Sequence, residues 1–479
     1  MTSIQPVKSR DVLLYTISRY AGLIVLLLRG VLIAKYLGPT LFGIWGFVTL
    51  LQQYLAYTNL GIQHAATVEL SNKNINDPTW QSRLMANALG LTIILAAILI
   101  LAGMIIHISN ISIFAKYDFS HYAFLTLLIA ALSHITTLFV STYRIYGLIY
   151  RIAAFQFIDA ILPLAALWFL PTPVLLPALL GTMVVSQIIG IILFLIRPPY
   201  RISFQFQRAS VLHVIFIALP LLAYNASFNL ITAIARTVLS TYYPVEIMGY
   251  YSLANSLTNA VLLGLRSIVF VLLPEVIHNT RPDLPDEIAG KAAYDVNVLY
   301  GISAFLLAYL LIIILPLLFY IIPDYQPAQN TVAILLLVQA VLSLSFGYNA
   351  AALSRGYQLT VAKLSCLALA IVGMLSLAIA YFQFEFYWIA VAVLIGSLIF
   401  TILQNRLGRR ILGLPFDIQN LLQDRLVTGG IISIGVFIFV IQSKISPMAG
   451  VTAFTTFVGF NVQNLSKLFI TAQRLFNKR

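Results

Sequence analysis

Apolar stretches of about 18 residues or more recur along this whole chain, each long enough to cross a bilayer as a helix. Hydrocarbon offers no partner to a peptide N–H or C=O, so segments this long must close their hydrogen bonds internally. Of the 479 residues, 61% are hydrophobic and 9% charged, where a soluble domain carries about 25% charged. Spans are expected near 11–35, 41–68, 83–107, 120–145, 152–170, 174–196, 211–240, 247–274, 293–322, 328–353, 357–381, 385–405, 427–443 and 449–467. That makes an all-α integral membrane protein of about 14 transmembrane helices. The last span is interrupted by Asn461, Gln463, Asn464 and Lys467, so a helix lying on the membrane surface is the alternative there.

Four arginines, Arg19, Arg29, Arg236 and Arg266, sit inside these stretches, flanked by runs such as 23–28, 31–34, 261–265 and 268–273. A guanidinium cannot shed its charge, and at the centre of a span it costs roughly 2.5–3.5 kcal/mol on insertion scales. Such residues turn toward a wet cavity, a partner or an anionic ligand. Arg29 and Arg236 fall near the outer ends of their spans, Arg19 and Arg266 nearer the cytoplasmic ends. Two tiers of planar forks suit phosphate oxygens, which arginine holds in bidentate fashion. The competing reading is snorkelling to the interface or pairing with a helix-end carbonyl.

Charge elsewhere follows topology. With the N-terminus inside, cytoplasmic segments hold most of the 28 basic residues, and the opposite side has Lys35, Lys116 and Lys444. The formal charge of +13 therefore reports orientation and contact with anionic membrane lipids, not a nucleic-acid surface. Lys8 and Arg10 resemble the start of a signal peptide, but Arg19 and Arg29 spoil its apolar centre, which leaves a retained anchor. Cys366 is the lone cysteine, so neither a disulfide framework nor a cysteine-rich metal site is expected. His107 and His121 flank one loop without a carboxylate-rich ligand set, and no metal or other cofactor is expected. No loop approaches the ~50 residues of a small soluble domain, and no phosphate-binding Gly-rich motif appears, so the chain is not expected to be an enzyme.

The sequence also repeats. Residues 36–47, YLGPTLFGIWGF, match 242–253, YYPVEIMGYYSL, at an offset of 206 that places Gly43 on Gly249 and Tyr36 on Tyr242. The same offset sets Glu69 on Glu275 and brings Arg29 within one position of Arg236. Six spans between the copies give both halves one orientation, a parallel repeat about the membrane normal. The expected domains are an N-terminal six-helix lobe (1–208), a C-terminal six-helix lobe (209–410) and an appended helix pair (411–479).

Other polar residues cluster on the same helices. Gln53 and Tyr57 on the second span, Asn225 and Asn229 on the seventh, and Asn255 and Asn259 on the eighth could hold sugar rings or a hydrated passage. Their bland reading is inter-helix hydrogen bonding, about 0.6 kcal/mol each. Asp159 is the clearest carboxylate within a span, either an ion relay or the internal partner of an arginine. Glu69 and Glu275 close matching inner ends, as gate residues or as hydrated interfacial carboxylates.

At YLGPTLFGIWGF, after an arginine-bearing first helix and before NLGIQHAATVEL, with an echo at MGYYSLANS, the chain resembles the polysaccharide (O-antigen) flippases. These belong to the larger group of lipid II flippases and multidrug and toxin extruders. The resemblance implies two six-helix lobes around a central cavity, and alternating access. It implies a polyprenyl-diphosphate-linked oligosaccharide carried from the cytoplasmic to the outer leaflet of the inner (plasma) membrane. Cationic cavity residues of such proteins meet the diphosphate, a role carried here to Arg19, Arg29, Arg236 and Arg266 by segment. Polysaccharide polymerase or glycosyltransferases of the same pathway are the implied protein partners. A multidrug/cation antiporter or a lipid II flippase on the same fold is the alternative. An antiporter for cations would favour cavity carboxylates over arginines.

Overall fold

The computed structural model describes residues 9–72, 78–109, 114–169, 172–200, 203, 207–260, 280–281, 284–415, 425–441 and 446–477. Among them there is helix and no strand. Among the described residues eight helices are long and apolar enough to cross a membrane, and two further pairs of shorter helices qualify jointly across a bend. The chain falls into two compact units, 1–226 with 244–252, and 227–243 with 253–479.

The first unit begins with α1 (Ser9–Leu55), which is kinked where Gly38 takes a φ of 69° and Pro39 follows. The sequence predicts one continuous span over 41–68. Instead a 3-10 turn (Ala56–Asn59) intervenes before α2 (Ile62–Asn72), with Leu60 left-handed at φ 54°. The break is held by side chains. Asn59 Oδ1 accepts from the Gly61 amide at 2.9 Å, and Thr58 Oγ1 lies 2.9 Å from His134 Nε2. The first of these satisfies a backbone amide that the break leaves without its helical bond, and the second ties the turn to α4. Next come α3 (Pro78–Ser109), α4 (Phe119–Ile145), α5 (Ile149–Phe169) and α6 (Thr172–Leu195). Their core gathers Ile62, Ala66, Met85, Leu89, Phe139 and Phe194, with Phe139, Tyr143, Phe155 and Phe194 in edge and tilted ring contacts. Helix α7 (Arg208–Tyr242) and the helical stretch 245–260, α8, follow and carry residues of both units.

The second unit contains α9 (Asp286–Ile321), α10 (Gln329–Ser343), α11 (Phe346–Ser354), α12 (Gln358–Tyr381) and α13 (Tyr387–Ile411). Where the sequence predicts a single span over 328–353, a bend of 46° separates α10 from α11. Helices α14 (Arg425–Ile441) and α15 (Ser446–Asn477) close the unit. Phe457 stacks on Phe305 at 4.8 Å, and Tyr309 donates to Ser433 Oγ at 2.6 Å, so both final helices are seated on α9. Two of the amides that interrupt the last span, Asn461 and Asn464, are internal, whereas Gln463 is exposed. Asn461 is fully buried and Asn464 donates to its Oδ1 at 3.1 Å, beside Gly429 of α14. A buried amide needs such partners, and here they lie within the helix itself, Asn461 Nδ2 donating to the Phe457 carbonyl at 3.1 Å.

Candidate functional site

Arg29 projects from α1 onto α5, where its Nη1 donates to the backbone carbonyl of Asp159 at 2.9 Å. The Asp159 carboxylate is held elsewhere. Its Oδ1 accepts from Ser186 Oγ at 2.6 Å and lies 3.4 Å from Gln187 Nε2, both on α6. Gln187 in turn accepts from Thr136 Oγ1 of α4 at 2.6 Å. Ser186 also lies 2.9 Å from the Met183 carbonyl, and its single proton favours the nearer, ionised acceptor. Residues of four helices, α1, α4, α5 and α6, thus gather around one half-buried carboxylate and one half-buried guanidinium. Opposite charge nearby is what makes both tolerable inside a span.

The repeated motif forms a second feature of the first unit. A Cβ built on Gly43 would sit 2.1 Å from the Val245 carbonyl oxygen, and one on Gly249 would sit 2.1 Å from that of Pro39. Only an atom the size of hydrogen fits there, so the two copies cross with backbone against backbone. Thr40 Oγ1 donates to Glu246 Oε1 at 2.9 Å, and Gly46 abuts Ser252, both pairs again 206 apart. Beside them the loop between α3 and α4 lays Tyr117 flat on Phe47 at 4.1 Å, with Lys116 5.4 Å from the Tyr117 ring. Burial holds the Lys116 ammonium below the usual lysine range, although Glu246 pulls the other way; burial and Glu246 both push the Tyr117 phenol up.

Arg236 is buried on α7, 4% exposed. Gln53, Tyr57, Glu69, Asn225 and Asn255 are half-buried, and Asn229 and Asn259 are exposed. Asn225 Nδ2 is turned back to the Leu221 carbonyl at 2.9 Å, the bond a helix offers its own amides. Arg19 lies within α1, but its side chain is outside the described residues, as are Arg266 and Glu275 altogether. Sequence reasoning does not single out Ser186, Gln187, Thr136 or Glu246. A Ser-Gln pair inside the otherwise apolar α6 is the signal that could have found the first two. Among the described residues, no three His, Cys, Asp or Glu side chains come together as a metal site.

No sequence-family model matches this chain, and no curated protein matches it. Solved structures do. Lipid II flippase MurJ in an inward closed conformation superposes with a TM-score of 0.69 at 14% identity, over 95% of this chain and 99% of that one. The MATE multidrug transporter DinF-BH gives 0.58 at 15% identity, over 87% of this chain and all of its own length (100%). A MOP superfamily transporter from Pyrococcus furiosus, with a binding pocket of reverse polarity, gives 0.54 at 14% identity over 84% and 95%. At such identities the likeness is one of fold. The chain has the all-helical fold of the lipid flippases and multidrug transporters to which it is similar, with multiple membrane-length apolar helices.

Proposed function

We propose that the chain flips a polyprenyl-diphosphate-linked oligosaccharide from the cytoplasmic to the outer leaflet of the inner membrane, for polysaccharide export. The supporting observation is Arg29, a permanent cation within a span whose one hydrogen bond among the described residues goes to a neutral carbonyl. A phosphate offers that fork two charged oxygens instead of one neutral one. Arg236 on the second repeat copy, with Arg19 and Arg266, would extend the track for the headgroup. Amides at 53, 225, 229, 255 and 259, with Tyr57, would meet the sugars. The lobes 1–208 and 209–410 would rock in alternating access, with 411–479 as an accessory pair and Glu69 and Glu275 as inner gate residues. Rocking needs a ligand that binds the two states unequally.

The likeness to a lipid II flippase and the cationic character of Arg29 favour an anionic lipid-linked substrate over a cationic drug. The antiporter reading rests on Asp159 and on the likeness to DinF-BH. The two part company on deletion of the protein. A flippase leaves lipid-linked sugar accumulated on the cytoplasmic leaflet; an antiporter leaves its sidedness unchanged and removes drug resistance instead.

A further inference from the structure

Arg29 and Asp159 are neighbours that do not clasp each other. The guanidinium takes the backbone carbonyl of Asp159, while the carboxylate of the same residue is drawn off by Ser186 and Gln187. Asp159 is the one carboxylate along α4, α5 and α6. Its negative charge therefore acts on Arg29 through space, with the fork left open to an incoming anion. We infer that Asp159 is a resident competitor for Arg29, parked on α6 by Ser186 and Gln187, that limits how tightly a diphosphate headgroup is held and so lets it leave.

The inference rests on the flippase reading and adds a positioning role to α6. When the headgroup docks, phosphate and Asp159 share one cation, and their mutual repulsion weakens the complex. Freed from its α6 anchors, the carboxylate would reach further toward Arg29 and compete harder. A transporter gains from this arrangement, because a headgroup held without opposition would be carried but not released.

Two substitutions then act in opposite directions. Asp159→Asn removes the competing charge, and inorganic pyrophosphate binding to the purified full-length protein tightens by about tenfold while turnover of lipid-linked substrate falls. Ser186→Ala, combined with Gln187→Leu, releases the carboxylate, and pyrophosphate binding weakens. Simple damage to the fold would weaken binding in both, so tightening in Asp159→Asn is the discriminating result. Binding that is unchanged or weaker in Asp159→Asn overturns the inference. Should that variant fail to fold, unchanged or tighter binding in the α6 double variant overturns it equally. Wild-type protein that ignores pyrophosphate and lipid-linked diphosphate alike refutes the flippase reading itself, a separate outcome.

Discussion

Gly43 lies against the carbonyl of the residue four before Gly249, and Gly249 lies against the carbonyl of the residue four before Gly43. The contact is reciprocal because the two sites are copies of one motif 206 positions apart. Each glycine serves the other's helix. Ala at either position must move a backbone carbonyl, and overpacking of this kind costs about 1–3 kcal/mol. Gly43→Ala and Gly249→Ala should lower the midpoint of thermal unfolding in detergent by similar amounts. A loss confined to one of the pair would contradict the reciprocity.

The Thr40–Glu246 bond gives a direct probe of the same crossing. With Cys366 replaced by Ser, a Thr40→Cys, Glu246→Cys protein should be joined by a short bifunctional thiol reagent. Gel mobility after cleavage between the two sites reads the product. Under the flippase proposal the joined protein should also stop flipping, since an outward passage needs the motif copies to part. Full flipping in the joined protein would exclude this crossing from the moving parts.

Substitution at Arg29 separates charge from shape. Arg29→Ala should abolish flipping of the lipid-linked sugar while the protein still reaches the membrane. Arg29→Lys should restore part of it, since an ammonium keeps the charge but loses the fork. Arg236→Ala should behave as Arg29→Ala does. Leaflet-selective labelling of the sugar measures all three, and wild-type rates in both alanine variants would remove the diphosphate clamp.

In the second unit Arg355 staples three segments, donating to Asp286 Oδ1 at 2.8 Å and to the carbonyls of Ile411 at 2.8 Å and Thr280 at 3.3 Å. The Asp286 side chain is 54% exposed, so the ion pair itself is screened by water. Asp286→Asn should cost under about 1 kcal/mol. Arg355→Ala should cost more, about 2–3 kcal/mol, because two carbonyls also lose a charge-assisted donor. Comparison of the two unfolding midpoints tests the order, and equal losses would assign the whole effect to the ion pair.

Much of the helical layout is legible in the sequence, for a plain reason: in hydrocarbon the backbone must bond to itself, so an apolar run dictates a helix. The repeat is legible too, in Gly43 and Gly249. What the repeat cannot disclose is that its copies touch, because similarity between two segments says nothing of the distance between them. The interruption at 56–61 is hidden since Leu60 carries no sign of its left-handed backbone, and the bond that steadies the turn comes from His134, 76 residues away from Thr58. Asp159 is visible as a charge inside a span. Its custodians Ser186 and Gln187 are not, because a hydroxyl and an amide in an apolar helix are commonplace and acquire meaning from what faces them.

The stacking of Phe457 on Phe305 joins rings 152 positions apart in the chain. Ribosomes add about 5–20 residues each second, so roughly 8–30 s separate the synthesis of the first ring from that of the second. The rest of α9, as far as Ile321, is made early in that interval, while the Phe305 ring still awaits its partner. A chain truncated before Phe457 would leave the Phe305 ring without this partner.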